Sequence, residues 1–483
     1  MERDPSPTCR SKNARYPVSR EDACTESSAL VAMRAAVEVP RPVNARHAAV
    51  GEPSRDLLAN IAVAVVGLGH VGLQVAMAMS ARFPTVGFDN DETRVATLRN
   101  GIDCSGEIAL DALSRSRLKL HIDPAALADS NFFIVTVPTP LTPGGKPDFC
   151  LLERACSVVG GVMQPGSTVV FESTVYPGAT EEICGPALER ASGLQCGVDF
   201  HIAYSPERIN PGDTDHGFAS VVKLVSAQDA KTLERVAAVY ATVVEAGVFR
   251  ASSIKVAEAA KVLESTQRDV NIALVNEMAK ICGLLGIRTH DVLRAAGSKW
   301  NFLPFAPGLA GGHCVGVDPC YLADKAQRLG YHPEVILAAR RVNDSMPSYV
   351  ASRIVLKMAE REQRVRGARV GILGVTFKED VSDLRDSRTV ELIEALAIYG
   401  IRAHIADPHA DLYESRSEYG MELEDEADWR DLDVLVLAVP HREFLARIHE
   451  QIDQSLRPGG VFVDLKARVP PATLQEDVCY LSL

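Results

Sequence analysis

Three features are missing from this sequence of 483 residues, and each absence narrows the range of functions. No apolar run approaches the roughly 20 residues that a membrane-spanning helix needs, so we expect no membrane span. No long basic run accompanies the formal net charge of −12, so nucleic acid is not an expected partner. An anionic small ligand is still compatible with this charge, because local arginines and helix N-termini can bind phosphate.

The third absence is a regular cysteine pattern. The 11 cysteines are an odd number spread along the chain, which fits a reducing compartment, and we predict a cytoplasmic protein. Cys314 and Cys320 lie near His313 and His332, but they form no C-x-x-C pair of the kind that zinc sites use. We therefore predict no metal site.

Residues 1–56 differ from the rest of the chain in amino-acid composition and in apolar patterning. They are rich in Arg, Ser, Pro and Ala, with interspersed acidic residues and no sustained apolar periodicity. They lack the apolar segment of a secretory signal, and their acidic residues argue against a transit peptide. We expect a disordered N-terminal extension there.

Short apolar runs alternate with helical patterns from Ile61 onward, which is typical of a doubly wound α/β fold. In the first unit the predicted strands are 61–66, 86–89, 132–137 and 168–171, with a helix at about 72–81. The pattern then predicts a long helix at about 251–286 and shorter helices at 289–296 and 348–362. A second α/β unit follows, with strands at 369–375, 403–407, 433–439 and 461–464. We predict two Rossmann-like domains, at 57–250 and 366–483, joined by an α-helical central domain at 251–365.

A G-x-G-x-x-G motif follows the first predicted strand and opens a predicted helix. In such a turn Gly67 would make the bend, Gly69 would admit a pyrophosphate, and Gly72 would let the helix pack closely. Asp89 ends the next predicted strand, where it would bind ribose hydroxyls and repel a 2′-phosphate, and this favours NAD over NADP. Arg94 lies nearby and weakens that preference. We predict NAD as the cofactor; a tight turn without a ligand is the alternative interpretation.

The segment from Gly311 to Asp318 places Cys314 on a glycine-built bend, with a carboxylate four residues later. Glycine lets the backbone take positive φ or approach a ligand closely, so the thiol can be exposed. Because the thiolate is a strong nucleophile, this arrangement indicates covalent chemistry. Most cysteines are instead buried apolar residues, and that interpretation is also open on these residues alone.

Four polar residues form a stripe along the predicted long helix, at positions i, i+3, i+7 and i+10: Glu258, Lys261, Ser265 and Arg268. Lys261 and Ser265 share one face of that helix. A stripe of this kind is usually a solvated face, and its spacing alone does not direct Lys261 toward Cys314.

Seven segments nevertheless match a known set of motifs in order: 67–72, 137–140, 172–178, 204–212, 261–277, 311–318 and 374–380. Together they resemble the UDP-glucose/GDP-mannose dehydrogenase family, and most closely its branch that oxidises UDP-N-acetylhexosamines such as UDP-GlcNAc or UDP-GalNAc. The resemblance runs from about Ile61 to near the C-terminus and leaves only the N-terminal extension without a counterpart.

The resemblance implies an oxidation of a UDP-sugar that needs both NAD and a thiol. The C6 alcohol becomes an aldehyde, which the cysteine captures as a thiohemiacetal. A second oxidation yields a thioester, and water hydrolyses it to the uronic acid, a precursor for surface polysaccharide. Covalent capture retains the aldehyde and divides one difficult step into easier ones.

Catalytic roles follow from the same resemblance. Cys314 would be the nucleophile, and Asp318 would position water and the neighbouring lysine. Lys261 would stabilise the oxyanions, Glu207 would be the base for thioester hydrolysis, and Thr174 would hold the water.

The resemblance also implies ligand contacts and an assembly. The positions matched to NAD contacts, with the glycines Gly67, Gly69 and Gly72, are Val71, Asp89, Arg94, Thr139, Thr174 and Arg385; the last matches an arginine that reaches toward the active site. The positions matched to substrate contacts are Glu207, Arg208, Asn210, Lys261, Gly311, Phe377 and Lys378. Family members associate through the long central helix, so we expect a homodimer or higher homo-oligomer.

Three positions depart from the family pattern. Ser265, in the catalytic set, stands where the family usually has an asparagine beside the catalytic lysine, and its shorter hydroxyl would need a bridging water. Cys320 replaces a tyrosine that is usual in the hexosamine branch. Pro211 stands where glucose-specific enzymes carry a second glutamate, and this favours an N-acetylhexosamine over UDP-glucose.

Alternative functions use other parts of the same pattern. UDP-glucose or UDP-ManNAc could undergo the same chemistry. A hydroxyacid or 6-phosphogluconate-type dehydrogenase would also join a Rossmann domain to helices, but it needs neither Cys314 nor the second α/β unit. A non-catalytic nucleotide-sugar-binding protein is a third alternative, which the retained Lys261, Asp318 and Glu207 disfavour.

Overall fold

Two sheets built of short, buried, apolar strands organise this protein. The computed structural model describes residues 55–103, 108, 110–208 and 217–483, without the side chains of Arg55, Leu110, His313 and Cys314. The prediction of a disordered extension at 1–56 therefore falls almost entirely outside the described residues. Among the described helices none is both long and apolar enough to cross a membrane.

The first sheet has eight strands in the order β3-β2-β1-β4-β5-β6-β7-β8. They are β1 Val63–Val66, β2 Thr85–Phe88, β3 Lys119–His121, β4 Phe132–Val135, β5 Thr168–Phe171, β6 His201–Tyr204, β7 Lys223–Ala227 and β8 Val248–Arg250. The first six in chain order run parallel, with Val63 paired to Thr85 on one side and to Phe132 on the other. β7 pairs antiparallel with β6 and parallel with β8. β1, β4 and β5 are buried along their whole length, as parallel strands covered on both faces must be.

Helices cover this sheet: α1 His70–Ser80, α2 Glu92–Arg99, α3 Leu110–Arg115, α4 Cys150–Gly160, α5 Gly185–Ser192 and α6 Ala230–Ala241. A π-helical turn at Thr180–Cys184 leads into α5, and 3₁₀ turns occupy Arg55–Leu58 and Pro124–Leu127. Carboxylates start two of the helices, because Asp91 caps α2 and Asp229 caps α6 by accepting backbone N–H groups.

The central part is helical and is organised by α7, Ile254–Leu285, whose 32 residues extend about 48 Å. Ser253 caps its start and Gly286, with φ +69°, ends it. The other helices here are α8 Thr289–Ala296, α9 His313–Arg328, α10 Glu334–Asp344 and α11 Met346–Glu360. Both α9 and α10 contact α7.

The second sheet has five parallel strands in the order β10-β9-β11-β12-β13. They are β9 Arg369–Leu373, β10 Arg402–Ala406, β11 Leu432–Leu437, β12 Leu456–Asp464 and β13 Cys479–Ser482, and the helices are α12 Arg388–Ile398, α13 Leu412–Ser417 and α14 Arg442–Ser455. Further 3₁₀ turns lie at Glu426–Asp428 and Pro471–Thr473.

The predicted fold class is confirmed: two doubly wound sheets flank a helical centre with a long helix. The first sheet contains the 3-2-1-4-5-6 strand order and the second has the 2-1-3-4-5 order of nucleotide-binding α/β proteins. One local expectation is corrected. Cys314 does not lie on the glycine bend itself, because α9 already begins at His313.

Candidate active site

The glycine-rich turn joins the end of β1 to the start of α1. Gly67 has φ +94°, so this bend requires a glycine. A Cβ on Gly72 would overlap the carbonyl oxygen of Gly67, so helix and turn could not pack as they do. A Cβ on Gly69 would instead meet no atom within 4 Å. This open backbone at a helix N-terminus fits the pyrophosphate of a dinucleotide.

Asp89 and Arg94 hold the glycine-rich turn from its side. The Leu68 N–H donates to Asp89 Oδ2 at 2.7 Å, and the Asp91 N–H donates to Asp89 Oδ1 at 3.0 Å. Arg94 Nε donates to the Leu68 carbonyl at 3.0 Å, while its Nη2 lies 2.9 Å from Asp103 Oδ1. Both predicted NAD ligands therefore lie at the turn, and each also has a structural partner there.

The loops after β4 and β5 are tied together at the same edge of the sheet. Thr139 Oγ1 donates to the Thr174 carbonyl at 2.7 Å, and the Tyr321 hydroxyl of α9 donates to the Thr139 carbonyl at 2.6 Å. Thr139 is buried, whereas Thr174 is partly exposed. Val71, in the first turn of α1, is partly buried and packs against the core of the sheet. The Thr139 hydroxyl is therefore used in a hydrogen bond within the protein.

The polar stripe on α7 is mostly not a solvated face. Glu258, Lys261 and Ser265 are buried, with at most 5% of each residue exposed, and only Arg268 faces outward. Burying three polar side chains on one helix face requires partners, since an unpaired buried charge is costly. The usual interpretation of such a stripe is therefore wrong for these three residues.

Glu258 binds the chain just before α5. Its Oε2 accepts the Gly178 N–H at 2.5 Å, and its Oε1 accepts the Thr180 N–H at 2.9 Å. Burial raises the pKa of Glu258 to about 7, although these hydrogen bonds oppose the shift. Glu258 thus fixes the segment that follows Thr174 against the long helix.

Three predicted catalytic residues converge between α7 and α9. Lys261 Nζ lies 3.9 Å from Asp318 Oδ2, and both side chains are almost completely buried. Burial raises the pKa of Glu207 to about 7, while Lys261 and Lys223 lower it and Asp318 raises it. These couplings show that Glu207, Lys261 and Asp318 share one electrostatic environment.

Cys314 is the second residue of α9, and Asp318 lies one turn later in the same helix. Gly312, with φ +90°, precedes the helix and allows its abrupt start. Cys320 lies further along α9, where its Sγ donates to the Gly316 carbonyl at 3.8 Å.

The second α/β unit approaches the start of α9 through the loop that follows β9. The Gly312 N–H donates to the Asp386 carbonyl at 3.1 Å. A Cβ on Gly311 would lie 2.6 Å from that same carbonyl oxygen, and one on Gly312 would lie 2.7 Å from the Phe377 ring. The Phe377 ring thus packs on Gly312, which precedes Cys314 by two residues in the chain. Gly311 lies against Asp386 and Arg388 rather than against the Phe377 ring.

The other predicted substrate contacts differ in their surroundings. Arg208 donates to Glu264 of α7 at 3.2 and 2.7 Å and to the Val222 carbonyl at 3.0 Å. Lys378 follows Phe377 and is partly exposed. Asn210 lies outside the described residues.

Arg385 is linked to the glycine-rich turn through Asp383. It donates to Asp383 at 2.9 and 2.6 Å, and Asp383 interacts electrostatically with His70 at the start of α1. This pair therefore lies on the side of the second α/β unit that faces the predicted cofactor site.

Comparison with known proteins matches three successive family models to the chain. They are the NAD binding, central and UDP binding domains of the UDP-glucose/GDP-mannose dehydrogenase family, at residues 61–244, 255–345 and 371–471. The chain belongs to this family. It is an NAD-dependent nucleotide-sugar dehydrogenase, and the predicted cofactor is confirmed.

Relatives and solved structures agree with this membership. The dehydrogenase is 48% identical to protein CapL of Staphylococcus aureus over 404 residues, which are 84% of this chain and 95% of the relative. It is 47% identical to UDP-N-acetyl-D-glucosamine 6-dehydrogenase of Pseudomonas aeruginosa over 408 residues, 84% and 97% of the two chains. The solved UDP-D-ManNAc dehydrogenase of Pyrococcus horikoshii superposes with a TM-score of 0.78 at 29% identity, covering 87% of this chain and 99% of the other.

One buried ion pair in the dehydrogenase is not evident from the sequence. Lys223 Nζ donates to Glu172 Oε2 at 2.7 Å and to the Pro206 carbonyl at 3.4 Å, and Tyr240 donates to Glu172 Oε1 at 2.5 Å. This cation adjoins Glu207 and lowers its pKa. Glu172 lies in a matched motif, but no motif marks Lys223, so the pairing could not be read from the sequence.

One cluster of the dehydrogenase has metal-ligand character within the described part of the chain. Potential ligand atoms of Asp380, His409 and His441 lie within 4.8 Å of one another. Three of the four histidine nitrogens have hydrogen-bond partners: those of His441 contact the Asp380 N–H and Asp407, and Nε2 of His409 contacts Glu443. The cluster is thus a hydrogen-bond network of the second α/β unit.

Proposed function

We propose that this dehydrogenase oxidises the C6 alcohol of a UDP-N-acetylhexosamine to a carboxylate in two NAD-dependent steps, with Cys314 as the covalent nucleophile. The observation that carries the proposal is the approach of Lys261 to Asp318, one helical turn beyond Cys314. A buried cation beside the start of α9 is suited to stabilise an oxyanion on a carbon attacked from that helix.

NAD, when bound at the glycine-rich turn, supplies the hydride acceptor for both oxidations. In the first oxidation the C6 hydroxyl loses its proton to solvent, and Lys261 stabilises the developing alkoxide. The thiolate of Cys314 then adds to the aldehyde carbon, and the carbonyl oxygen becomes an oxyanion beside Lys261. The second oxidation converts this thiohemiacetal into a thioester.

Hydrolysis completes the reaction. Glu207, with a pKa of about 7, removes a proton from water that Asp318 and Thr174 orient. The new C–O bond forms, the C–S bond breaks, and the thiolate of Cys314 is regenerated. Each turnover would consume one water and reduce two NAD.

Substrate identity rests on the relatives and on the sequence. Two relatives at 45% identity or more are UDP-N-acetyl-D-glucosamine 6-dehydrogenases, and Pro211 replaces the second glutamate of glucose-specific enzymes. UDP-glucose and UDP-ManNAc are alternatives, since solved relatives at 27–29% identity are dehydrogenases of those sugars. We assign residues 57–250 to NAD, 366–483 to the UDP-sugar and 251–365 to assembly. The remaining predicted ligand contacts, Asn210 among them, keep their proposed roles.

The deciding experiment incubates the protein with UDP-GlcNAc, UDP-GalNAc, UDP-ManNAc and UDP-glucose, and follows NADH and uronate together. We expect the highest kcat/KM with an N-acetylhexosamine and two NADH for each uronate. Cys314→Ala should form no uronate, whereas normal uronate production by this variant would refute the covalent step. One NADH per product would instead support a single-step hydroxyacid dehydrogenase, and no turnover would support a non-catalytic binding protein.

We further propose a homodimer formed through the central helices, in the cytoplasm, that supplies a precursor of surface polysaccharide. Leu274, Leu284 and Leu285 on α7 are each at least 64% exposed, and Trp300 after α8 is 89% exposed. Large exposed apolar patches mark interaction surfaces. Light scattering should give twice the monomer mass, and Leu284→Glu with Trp300→Glu should lower it; a monomeric wild type would refute the dimer.

A further inference from the structure

His441 is a fully buried side chain at the carboxyl edge of the second sheet, between the end of β11 and the start of α14. Its Nδ1 accepts the backbone N–H of Asp380 at 3.0 Å. Its Nε2 lies 3.0 Å from Asp407 Oδ2 and 3.2 Å from Thr376 Oγ1. Because a backbone N–H can only donate, Nδ1 must be the acceptor and Nε2 must carry the proton. The contacts therefore define one neutral tautomer.

Asp407 extends this contact to a second loop. Besides His441, its Oδ2 accepts the N–H groups of Val375 at 2.7 Å and Thr376 at 3.0 Å. Its Oδ1 accepts the N–H groups of His409 at 2.8 Å and Ala410 at 3.0 Å. Burial would raise the pKa of Asp407, but hydrogen bonds from His441 and the backbone hold it well below its ordinary value. The His441–Asp407 pair thus joins the loops after β9, β10 and β11.

The first part of the loop after β9, residues 374–380, is held at both ends by this pair. It starts at Gly374, with φ +91°, where a Cβ would overlap Val439 in the loop after β11. It ends at Asp380, whose φ of +59° is uncommon for a residue with a side chain and needs local support. That support is the bond from the Asp380 N–H to His441, with the Asp380 carboxylate bound to Arg442.

The position of the loop gives the pair a functional consequence. In a sheet of order 2-1-3-4-5, ligands bind in the crevice where the connections from strands 1 and 3 diverge, which here is between β9 and β11. Phe377 and Lys378 lie between the two held ends, and Phe377 packs on Gly312 before Cys314. His441 contacts the residues on either side of them, Thr376 and Asp380.

We propose that His441 is a positioning residue for the nucleotide-sugar: it accepts the Asp380 N–H and thereby holds Phe377 and Lys378 in their binding conformation. The inference rests on the proposed role of these two residues in binding the UDP moiety. It assigns no contact between His441 and the substrate.

The test distinguishes the two hydrogen bonds of the His441 imidazole ring, to the Asp380 N–H and to Asp407. His441→Asn places an amide oxygen near the position of Nδ1 and keeps an acceptor for the Asp380 N–H, whereas His441→Gln places an amide N–H near Nε2 and keeps the bond to Asp407. Affinity for UDP is measured by calorimetry, NAD affinity and melting temperature report folding, and KM and kcat are determined for the UDP-sugar. His404→Gln, on β10 of the same sheet, where the ring bonds to exposed Glu424, is the matched control.

We expect His441→Gln to weaken UDP binding about tenfold and to raise KM for the UDP-sugar equally, as loss of one buried hydrogen bond does. His441→Asn should stay within about threefold of the wild type, and in all variants NAD affinity and kcat should change less than about twofold. Equal UDP affinity in the wild type and His441→Gln, or equal losses in Gln and Asn, would overturn the inference. Lys378→Ala is measured in parallel: if it leaves UDP affinity unchanged, the proposed role of the loop fails and the inference with it.

Discussion

Lys261 of the long helix and Asp318 of α9 lie 3.9 Å apart, Nζ to Oδ2, and both are almost completely excluded from solvent. Two residues that are 57 positions apart in the chain thus place a cation and an anion beside the first turn of the helix that carries Cys314. The distance between these two atoms is that of a loose ion pair.

Replacement of this cation should slow both oxidations. Lys261→Met keeps the length of the side chain but removes the charge, so kcat should fall by about 10²–10³ while KM for NAD changes little. Single-turnover NADH formation measures the first oxidation. Lys255→Met, the same change at an exposed position of α7 where the lysine binds Glu181, should retain full activity. A similar loss in both variants would contradict the electrostatic role.

The raised pKa of Glu207 predicts the pH dependence of hydrolysis. A base must be ionised, so the rate of thioester hydrolysis should rise with pH up to about 7 and then level off. Glu207→Gln should remove this rise and leave the thioester on Cys314, detectable by mass spectrometry of the intact protein. A variant that hydrolyses normally with the same pH profile would exclude Glu207 as the base.

The same shift has a consequence for stability. The folded protein binds a proton on the Glu207 carboxylate more tightly than the unfolded chain does, because in the unfolded chain this glutamate has a pKa near 4.5. The contribution of Glu207 to stability is therefore fully present below pH about 4.5 and is lost as pH rises through about 7. In urea titrations across this range, Glu207→Gln should lose less stability with rising pH than the wild type.

Two glycines of the dinucleotide turn should respond differently to alanine. At Gly72 a Cβ would overlap the Gly67 carbonyl, so Gly72→Ala should destabilise the fold by about 2 kcal/mol or more. At Gly69 the space is open, so Gly69→Ala should fold normally but lose NAD affinity, because the methyl group would occupy the pyrophosphate position. Thermal unfolding and calorimetry with NAD distinguish the two, and an unstable Gly69→Ala would contradict this division.

Glu258 is predicted to act through structure alone. Glu258→Ala would leave the buried N–H groups of Gly178 and Thr180 without their acceptor, at a cost of about 2–3 kcal/mol in unfolding free energy. Urea titration measures this cost. The exposed Glu277, nearer the C-terminal end of the same helix, provides the control. Glu277→Ala should change the free energy of unfolding by less than about 0.5 kcal/mol.

Ser265 lies one turn beyond Lys261 and is buried with it. Ser265→Asn would add an amide donor toward the oxyanion, so the first oxidation should accelerate about fivefold, the effect of one hydrogen bond. Ser265→Ala should slow it. Unchanged rates in both variants would show that this position does not contribute to the oxyanion site.

The fold was predictable because its strands are short apolar runs with clear turns. β5 and α8 have the predicted bounds, and Gly67, Gly69 and Gly72 have the backbone geometry that their motif requires. The start of α9 was not predictable, because two glycines in succession indicate a bend and do not indicate where the helix begins.

The pairing of distant polar residues was the part that sequence spacing could not supply. Glu258 and Lys261 appear as a surface stripe until the loops that cover α7 are in place, since burial depends on tertiary contacts rather than on local pattern. Lys223 and His441 belong to no motif, and only the fold shows that Lys223 adjoins Glu207 and that His441 binds the Asp380 N–H. The partners of these residues can be identified only from the three-dimensional structure.

The two sheets share one local construction at their first turn. The Leu68 N–H after Gly67 is bound to Asp89, and the Val375 N–H after Gly374 is bound to Asp407, each aspartate following the second strand of its sheet. Both turns are thus rigid before any nucleotide arrives, so association would lose little backbone entropy at either site. Ordering of these two turns would then contribute little to the heat of binding of either nucleotide.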